Sequence, residues 1–515
     1  SLRRTEGRVR ITAQLIDASN GFHVWSQPYD RDDSDLFALQ DEIADAIAKE
    51  LSTRIAGVAA EAPGDAGTAN AEALQAYLQG RQSWRQRTPA SLDRAELLFR
   101  RAVELDPDFA RAWSGLADTY LLQADYGNRP MDEAIALAEP AVVQAVNLQP
   151  QLGEAWASLG LLRMNVGQTA AAQRSLEDAM RLDPRYEMAP MWLASVYARA
   201  GQPERQREVL LRALELNPLE PVINVNLAGL LAGSGRIDEA RAQLQRVLAI
   251  VPQEAALLRS LADIEQTQGN FGAALRAAEA ALATDPTAPA NIETLLKLLA
   301  QIEAFDQAEA LARQLPAGHR NRALALQEIE IRRGGTRVLP ELAERIANIP
   351  EHPRTPVDRQ ALTLGGMAQL RAGNPAQAAE WLRRAAGSPQ QLDSDVELLE
   401  SASLLLAALQ QLRQDEEAAR WQQALDAAAR GWLRRVGDGK GGQVARMLLA
   451  LQNNDLATAD AVLQEAFDTG FRARWVLLYD PRFAALRERP LTQQLLQRMD
   501  AEFTAARSQL GDRAG

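Results

Sequence analysis

Proline recurs at Pro150, Pro184, Pro218, Pro252 and Pro286, a step of 34 residues each time. Glycine recurs in phase at Gly167, Gly201, Gly235 and Gly269. Alanine fills two more positions of the period: Ala172, Ala240 and Ala274 in one, Ala179, Ala213 and Ala281 in the other. A fixed period of this length means one supersecondary unit, copied and stacked. Each unit reads as two amphipathic helices. The first ends near the glycine, which adopts left-handed turn conformations without steric cost. The second ends before the proline, which cannot continue a helix and biases the preceding residue away from helical geometry. The expected fold class is therefore all-α, a superhelical solenoid of helix pairs. A small β-hairpin plus helix, the remnant of an α/β domain, precedes it.

A 515-residue chain is too long for one compact core, but a solenoid grows by repetition. The net charge of −12 argues against holding nucleic acid by neutralising phosphates. With no cysteine, disulfides, thiolate catalysis and cysteine-ligated zinc are excluded. No apolar run reaches the roughly 20 residues that a membrane-spanning helix needs.

Residues 8–16 alternate, with Val9, Ile11, Ala13 and Leu15 on one face, the period-two pattern of a half-buried strand. A turn cluster from Asp17 to Gly21 and a second alternating run from Phe22 to Ser26 complete a hairpin. A lone hairpin is marginal in water, and the sequence opens inside strand-like residues without methionine. It is therefore expected to be part of a longer protein. A helix follows from Asp33 or Ser34, with Leu36, Leu39, Ile43, Ile47 and Leu51 at helical spacing. The divisions read from the sequence are 1–55 for this remnant, 56–70 for an Ala/Gly/Pro-rich linker, 71–316 for the regular array, and 317–515 for divergent helical repeats with a terminal cap.

The period, its Gly and Pro punctuation and the small packing residues resemble the tetratricopeptide repeat (TPR). The flanks carry a second resemblance. Val9-Arg-Ile-Thr-Ala-Gln-Leu-Ile-Asp-Ala, Gly21-Phe-His-Val-Trp-Ser, Tyr29-Asp-Arg and Asp35-Leu-Phe-Ala-Leu-Gln-Asp-Glu-Ile-Ala resemble the end of a TolB-like domain. Tyr77, Gly80, Thr88-Pro89, Phe99 and Trp113-Ser-Gly-Leu-Ala-Asp-Thr-Tyr120 resemble the TPR units that follow it in bacterial regulators. The run Asp480-Pro-Arg-Phe-Ala-Ala-Leu486 resembles their closing turn. This resemblance implies the carboxy-terminal part of a CadC-type winged-helix transcriptional regulator or of a class III cyclase- or kinase-linked regulator. It implies a periplasm-facing module of an inner-membrane protein, with a cytoplasmic placement as the alternative.

In TPR arrays the first helix of each unit lines a concave face. The concave candidates here are Asn165, Met188, Met191, Trp192, Arg199, Val222, Val225, Asn226, Arg259 and Asp263. Methionine gives an adaptable apolar surface, and Asn226 can bond an extended backbone. The implied partner is a protein or peptide. The alternatives are a scaffold that self-associates, and the regulatory region of a cyclase or kinase. Lysine is absent from all these positions, which excludes the two-carboxylate clamp of chaperone adaptors. Trp113 and Trp156 read as core packing; Trp192, two residues out of that phase, reads as able to face the groove.

No catalytic, cofactor or metal site is expected. His23, His319 and His352 lie far apart in sequence. The acidic run Asp30, Asp32, Asp33 and Asp35 lacks calcium-loop spacing, and reads as a solvated loop with a helix cap. Gly437 to Gly442 contains Lys440 but no following Ser or Thr, so it reads as an interhelix loop rather than a phosphate loop.

Overall fold

The computed structural model describes residues 2–5, 8–16, 23–32 and 67–511, apart from 127–128, 317–318, 320, 354, 395 and 437–439. The helix expected from Asp33 and most of the 56–70 linker fall outside these residues. At the start of the chain the backbone runs as antiparallel strands β1 (Leu2–Thr5), β2 (Arg8–Ile16) and β3 (His23–Asp32), hydrogen-bonded in that order. From Ala71 onward, every regular element among the described residues is helical. The chain divides into two compact units, Ser1–Val166 and Gly167–Gly515, so the division falls inside the regular array.

The first unit holds α1 (Ala71–Arg85), α2 (Pro89–Leu105), α3 (Ala110–Tyr126), α4 (Met131–Leu148) and α5 (Gly153–Asn165). Asn70 caps α1 by accepting from the Glu72 and Ala73 amides. A capping box of Thr88 and Ser91, with Pro89 at the first helical position, starts α2. The core centres on Phe99, which is fully buried. A Cβ added to Gly80 or Gly115 would lie 2.8 or 2.7 Å from its ring, so α1 and α3 come this close only because both positions are glycine. Tyr77 packs beside it, 5.9 Å from Phe99 and 5.0 Å from Phe109 between ring centroids.

The second unit continues the pairs: α6 (Thr169–Leu182), α7 (Met188–Arg199), α8 (Pro203–Leu216), α9 (Pro221–Gly233), α10 (Ile237–Leu248), α11 (Ala255–Thr267), α12 (Phe271–Thr284) and α13 (Pro289–Gln301). The phased glycines stand at positive φ: 78° at Gly167, 66° at Gly201, 78° at Gly235 and 75° at Gly269. One period further on the same turn is made by Glu303, with φ 61°. A side chain there costs roughly 1–2 kcal/mol of backbone strain. Its carboxylate accepts from Nη1 of Arg474 at 2.9 Å.

Beyond α13 the helices become less regular: α14 (Phe305–Ala312), α15 (Arg322–Arg332), α16 (Pro340–Ala347), α17 (Pro356–Arg371), α18 (Pro375–Ala386), α19 (Val396–Gln411) and α20 (Asp415–Val436). The start of the 317–515 region, where the repeat is least regular, thus still carries helices. Two helices beyond α13, α14 and α16, span only 8 residues each. Last come α21 (Lys440–Gln452), α22 (Leu456–Asp468), α23 (Arg474–Tyr479) and α24 (Pro490–Gly511). Lys440 and Gly441 therefore begin a helix, where the sequence pattern suggests loop.

The closing segment returns to the middle of the solenoid. Leu463, Phe467, Leu477, Met499 and Phe503 share one core with Phe271, Leu275, Leu298 and Leu311. The residues from Gly470 to Tyr479 run along the turns within successive helix pairs. Gly470 lies against the Thr267 carbonyl and Tyr479 against Gly334. Arg474 bonds Glu303, and Arg507 Nη1 donates to the Ile302 carbonyl at 2.8 Å. The short turn after Tyr479 is fixed by Asp480, whose side chain is fully buried and pairs with Arg482 at 2.6 Å.

Candidate protein-interaction groove

A recurrent hydrogen bond sets the entry of the first helix in several units. Trp113 Nε1 donates to the Pro107 carbonyl and Trp156 Nε1 to that of Pro150, both at 2.8 Å. In the second unit Asn224 Nδ2 donates to the Pro218 carbonyl at 3.0 Å. The two tryptophans are only partly buried, so they tie each helix to its preceding turn while packing on it. This fixes which face of each first helix is turned to its neighbours.

In the second unit α9, α11 and α13 lie side by side. Residues one period apart form rows across them. One row is Val225, Arg259 and Glu293; the next is Gly229, Asp263 and Lys297. Asp263 and Lys297 approach to 3.6 Å, and Arg259 Nη1 donates to Asn291 Oδ1 at 2.7 Å. Val222, Val225, Asn226 and Arg259 are partly exposed and Asp263 is exposed, so this stretch brings together five of the sequence candidates. Arg199 is exposed at the end of α7 and Asn165 is partly exposed in the first unit. Met188, Met191 and Trp192 are buried, at 4%, 4% and 3% exposure. Trp192 meets Tyr186 edge-on at 6.5 Å, so it packs within the solenoid; its offset from the tryptophan phase turns it inward.

The first unit carries a polar cluster around Glu154, outside the groove candidates named above. Glu154 of α5 is approached by the Tyr77 hydroxyl at 3.4 Å, Arg81 Nη1 at 3.9 Å and Arg111 Nε at 3.7 Å. The three charged side chains are 14%, 17% and 30% exposed in the order Glu154, Arg81, Arg111. Burial, reinforced by the Glu154 charge, holds the Tyr77 phenol well above the usual phenol range. Arg87 lies over the Trp84 ring at 4.0 Å and Arg81 over the same ring at 5.3 Å.

Asp118 lies beneath this cluster. It is 1% exposed. Burial pushes its carboxyl up to about 7, against the opposing pull of a Ser158 hydrogen bond and the Arg81 and Arg87 charges. Ser158 has one proton to share between that carboxyl and the Glu154 carbonyl, 3.1 Å away. A protonated Asp118 resolves this by donating to Ser158, which donates onward to the carbonyl. Oδ1 of Asp118 and Oγ of Ser114, one turn earlier on α3, have no hydrogen-bond partner among the described residues. A signal for these residues is present in the sequence. Arg111 and Asp118 stand two before and five after Trp113, as Glu154 and Leu161 do around Trp156. The 43-residue spacing from Pro107 to Pro150 masks that phase.

Among the described residues no three His, Cys, Asp or Glu side chains gather as metal ligands would. His319 Nδ1 lies 3.6 Å from Glu293. His23 and the acidic run from Asp30 fall outside the described side chains, and 437–439 outside the described residues. No helix among the described residues is long and apolar enough to cross a membrane.

Residues 157–221 and 219–287 match models of the tetratricopeptide repeat. Over 147 residues, 28% of this chain, the sequence is 33% identical to "Putative adenylate cyclase 3" of Rhizobium meliloti (strain 1021), and the match spans 25% of that protein. Solved structures with a similar course include TTC0263, a thermophilic TPR protein of Thermus thermophilus. It is 25% identical with TM-score 0.32, and the match covers 37% of this chain and 98% of that one. Yeast Tom70 is 16% identical with TM-score 0.41, covering 67% of this chain and 66% of that one. By its repeats and its helical solenoid, the chain is a TPR-containing protein.

Proposed function

We propose that this chain is a non-catalytic protein- or peptide-binding module, acting as the sensing or interaction part of a bacterial signalling regulator. The observation that carries the reading is the row pattern on α9, α11 and α13. The period fixes the buried positions there, while Val222, Val225, Asn226, Arg259 and Asp263 remain accessible on adjoining first helices. Apolar and hydrogen-bonding groups alternating on one surface suit an extended peptide, whose backbone needs polar partners and whose side chains need apolar contact.

The similarity to a protein named as an adenylate cyclase favours a nucleotide cyclase as the output domain. A CadC-type winged-helix domain is the other output in this reading. Residues 1–55 then belong to the end of a TolB-like α/β domain, and the repeats face the periplasm. These attributions rest on domain company, which argues function only by analogy.

The test is affinity capture from the native bacterium with the wild-type chain and a Val225→Glu/Asn226→Ala variant. A specific partner retained by the wild type and lost by the variant is expected. Equal recovery overturns the groove assignment. Self-association is the competing reading, and a concentration-independent monomer in light scattering removes it.

A further inference from the structure

We propose that the first unit carries a cation-accepting slot between α1, α3 and α5, in which Asp118 receives the charged end of a lysine or arginine side chain of an extended peptide. The inference deepens the peptide-binding reading and rests on it for the source of the cation.

Most charges in this region already face one another. Arg81 of α1 and Arg111 of α3 both approach the Glu154 carboxylate of α5. Arg87 and Arg81 lie over Trp84. Asp118 is left apart, although Arg81 and Arg87 act on it electrostatically from the α1 side and Glu154 from α5. It is a carboxyl 1% exposed whose Oδ1 is unpartnered among the described residues. The Ser114 hydroxyl on the same helix face is unpartnered there as well. A buried carboxylate without a counter-ion is high in energy, and an ammonium or guanidinium supplies both the missing charge and donors for the empty lone pairs. Ser114 offers a second acceptor to such a multi-donor group. A carboxylate ligand would place a third negative charge beside Asp118 and Glu154 and leave Oδ1 unfilled.

The chemistry sets a recognisable signature. A cation binds the ionised carboxyl, so a carboxyl with its midpoint near 7 must release its proton on binding. Apparent affinity is reduced by the fraction not ionised. It should be about tenfold weaker at pH 6 than at pH 8.

The experiment uses the full 515-residue chain in isothermal calorimetry. The probes are a blocked pentapeptide with a central lysine, its arginine, norleucine and glutamate counterparts, and n-butylammonium as the small-cation control. The expected result is binding of the lysine or arginine peptide at least tenfold tighter than norleucine or glutamate. It should come with proton uptake by the buffer, and be lost in Asp118→Asn, whose melting curve confirms folding. Butylammonium binding as tightly as the peptide would make the source a small cation and overturn the peptide part. Equal binding of lysine and norleucine, equal binding by Asp118→Asn, or no binding of either cationic peptide overturns the slot. The groove reading survives those outcomes, because the capture experiment tests it on α9.

Discussion

Replacing Asp118 by Asn keeps the shape of the side chain and its hydrogen bond to Ser158 while removing the charge. In the folded chain burial raises this carboxyl from 3.8 to about 7. The unfolded chain therefore ionises it near pH 4, while the folded chain keeps the proton until pH 7. Between those values the native state binds more protons than the unfolded state, so this residue lowers stability as pH rises, at about 1.4 kcal/mol per pH unit. Above pH 7 both states are ionised and the loss levels off. Asn escapes the penalty at every pH. Its advantage over Asp should therefore grow by about 2–3 kcal/mol between pH 5 and pH 8. Urea unfolding of the wild type and Asp118→Asn, followed through pH 5 to 8.5, reads this as a widening gap between midpoints. Because both proteins share every other titrating group, the gap isolates residue 118. A gap that stays constant with pH would sink this account, since it would mean that the folded protein already holds Asp118 ionised.

Three more outcomes follow from packing and strain. Gly80→Ala brings a methyl group within 2.8 Å of the Phe99 ring and should cost about 1–3 kcal/mol by overpacking, read as a fall in the melting temperature of the first unit. Asp480→Ala removes the 2.6 Å partner of Arg482 and leaves its guanidinium only Glu400 at 3.3 Å; a loss of about 2–3 kcal/mol is expected from urea unfolding, below the cost of a fully unpaired buried charge, whereas less than about 1 kcal/mol would mean the pair is solvated. Arg413→Gly relieves a left-handed residue with φ 56° that is exposed on its turn. Chemical denaturation should show it more stable by up to about 1 kcal/mol, the strain relieved less the added freedom of the unfolded chain.

How far the sequence could be read differs along the chain. Where the period is strict, from Pro150 to Pro286, each helix pair and each turn glycine stands where the pattern places it. Spacing alone decides those features: one Gly in a turn and one Pro after a helix are local requirements. The concave side chains are a harder case. Met188, Met191 and Trp192 belong to a first helix like their accessible counterparts on α9, yet they are buried. Burial depends on how each pair is packed against the next, which no single-residue period records. The Asp118 cluster is hidden by the insertion before Pro150, which shifts the register of the first units against the regular ones.

The closing segment shows the same limit most clearly. Its residues, from Asp480-Pro-Arg-Phe to the last helix, read as a cap, and a solenoid needs its end covered. That it returns across 171 residues of sequence to bond Glu303 through Arg474 is not written in any local pattern. Glu303 itself shows why. A glutamate at a left-handed turn looks like decay of the repeat, and only the folded chain reveals the arginine that holds its carboxylate. The repeat, its helices and its turns are legible in residue order, because short-range backbone preferences and a period in apolar spacing set them. Which charges face one another, which candidates are buried and where the chain's end docks became visible only in the folded molecule, because they depend on distances between residues far apart in the chain.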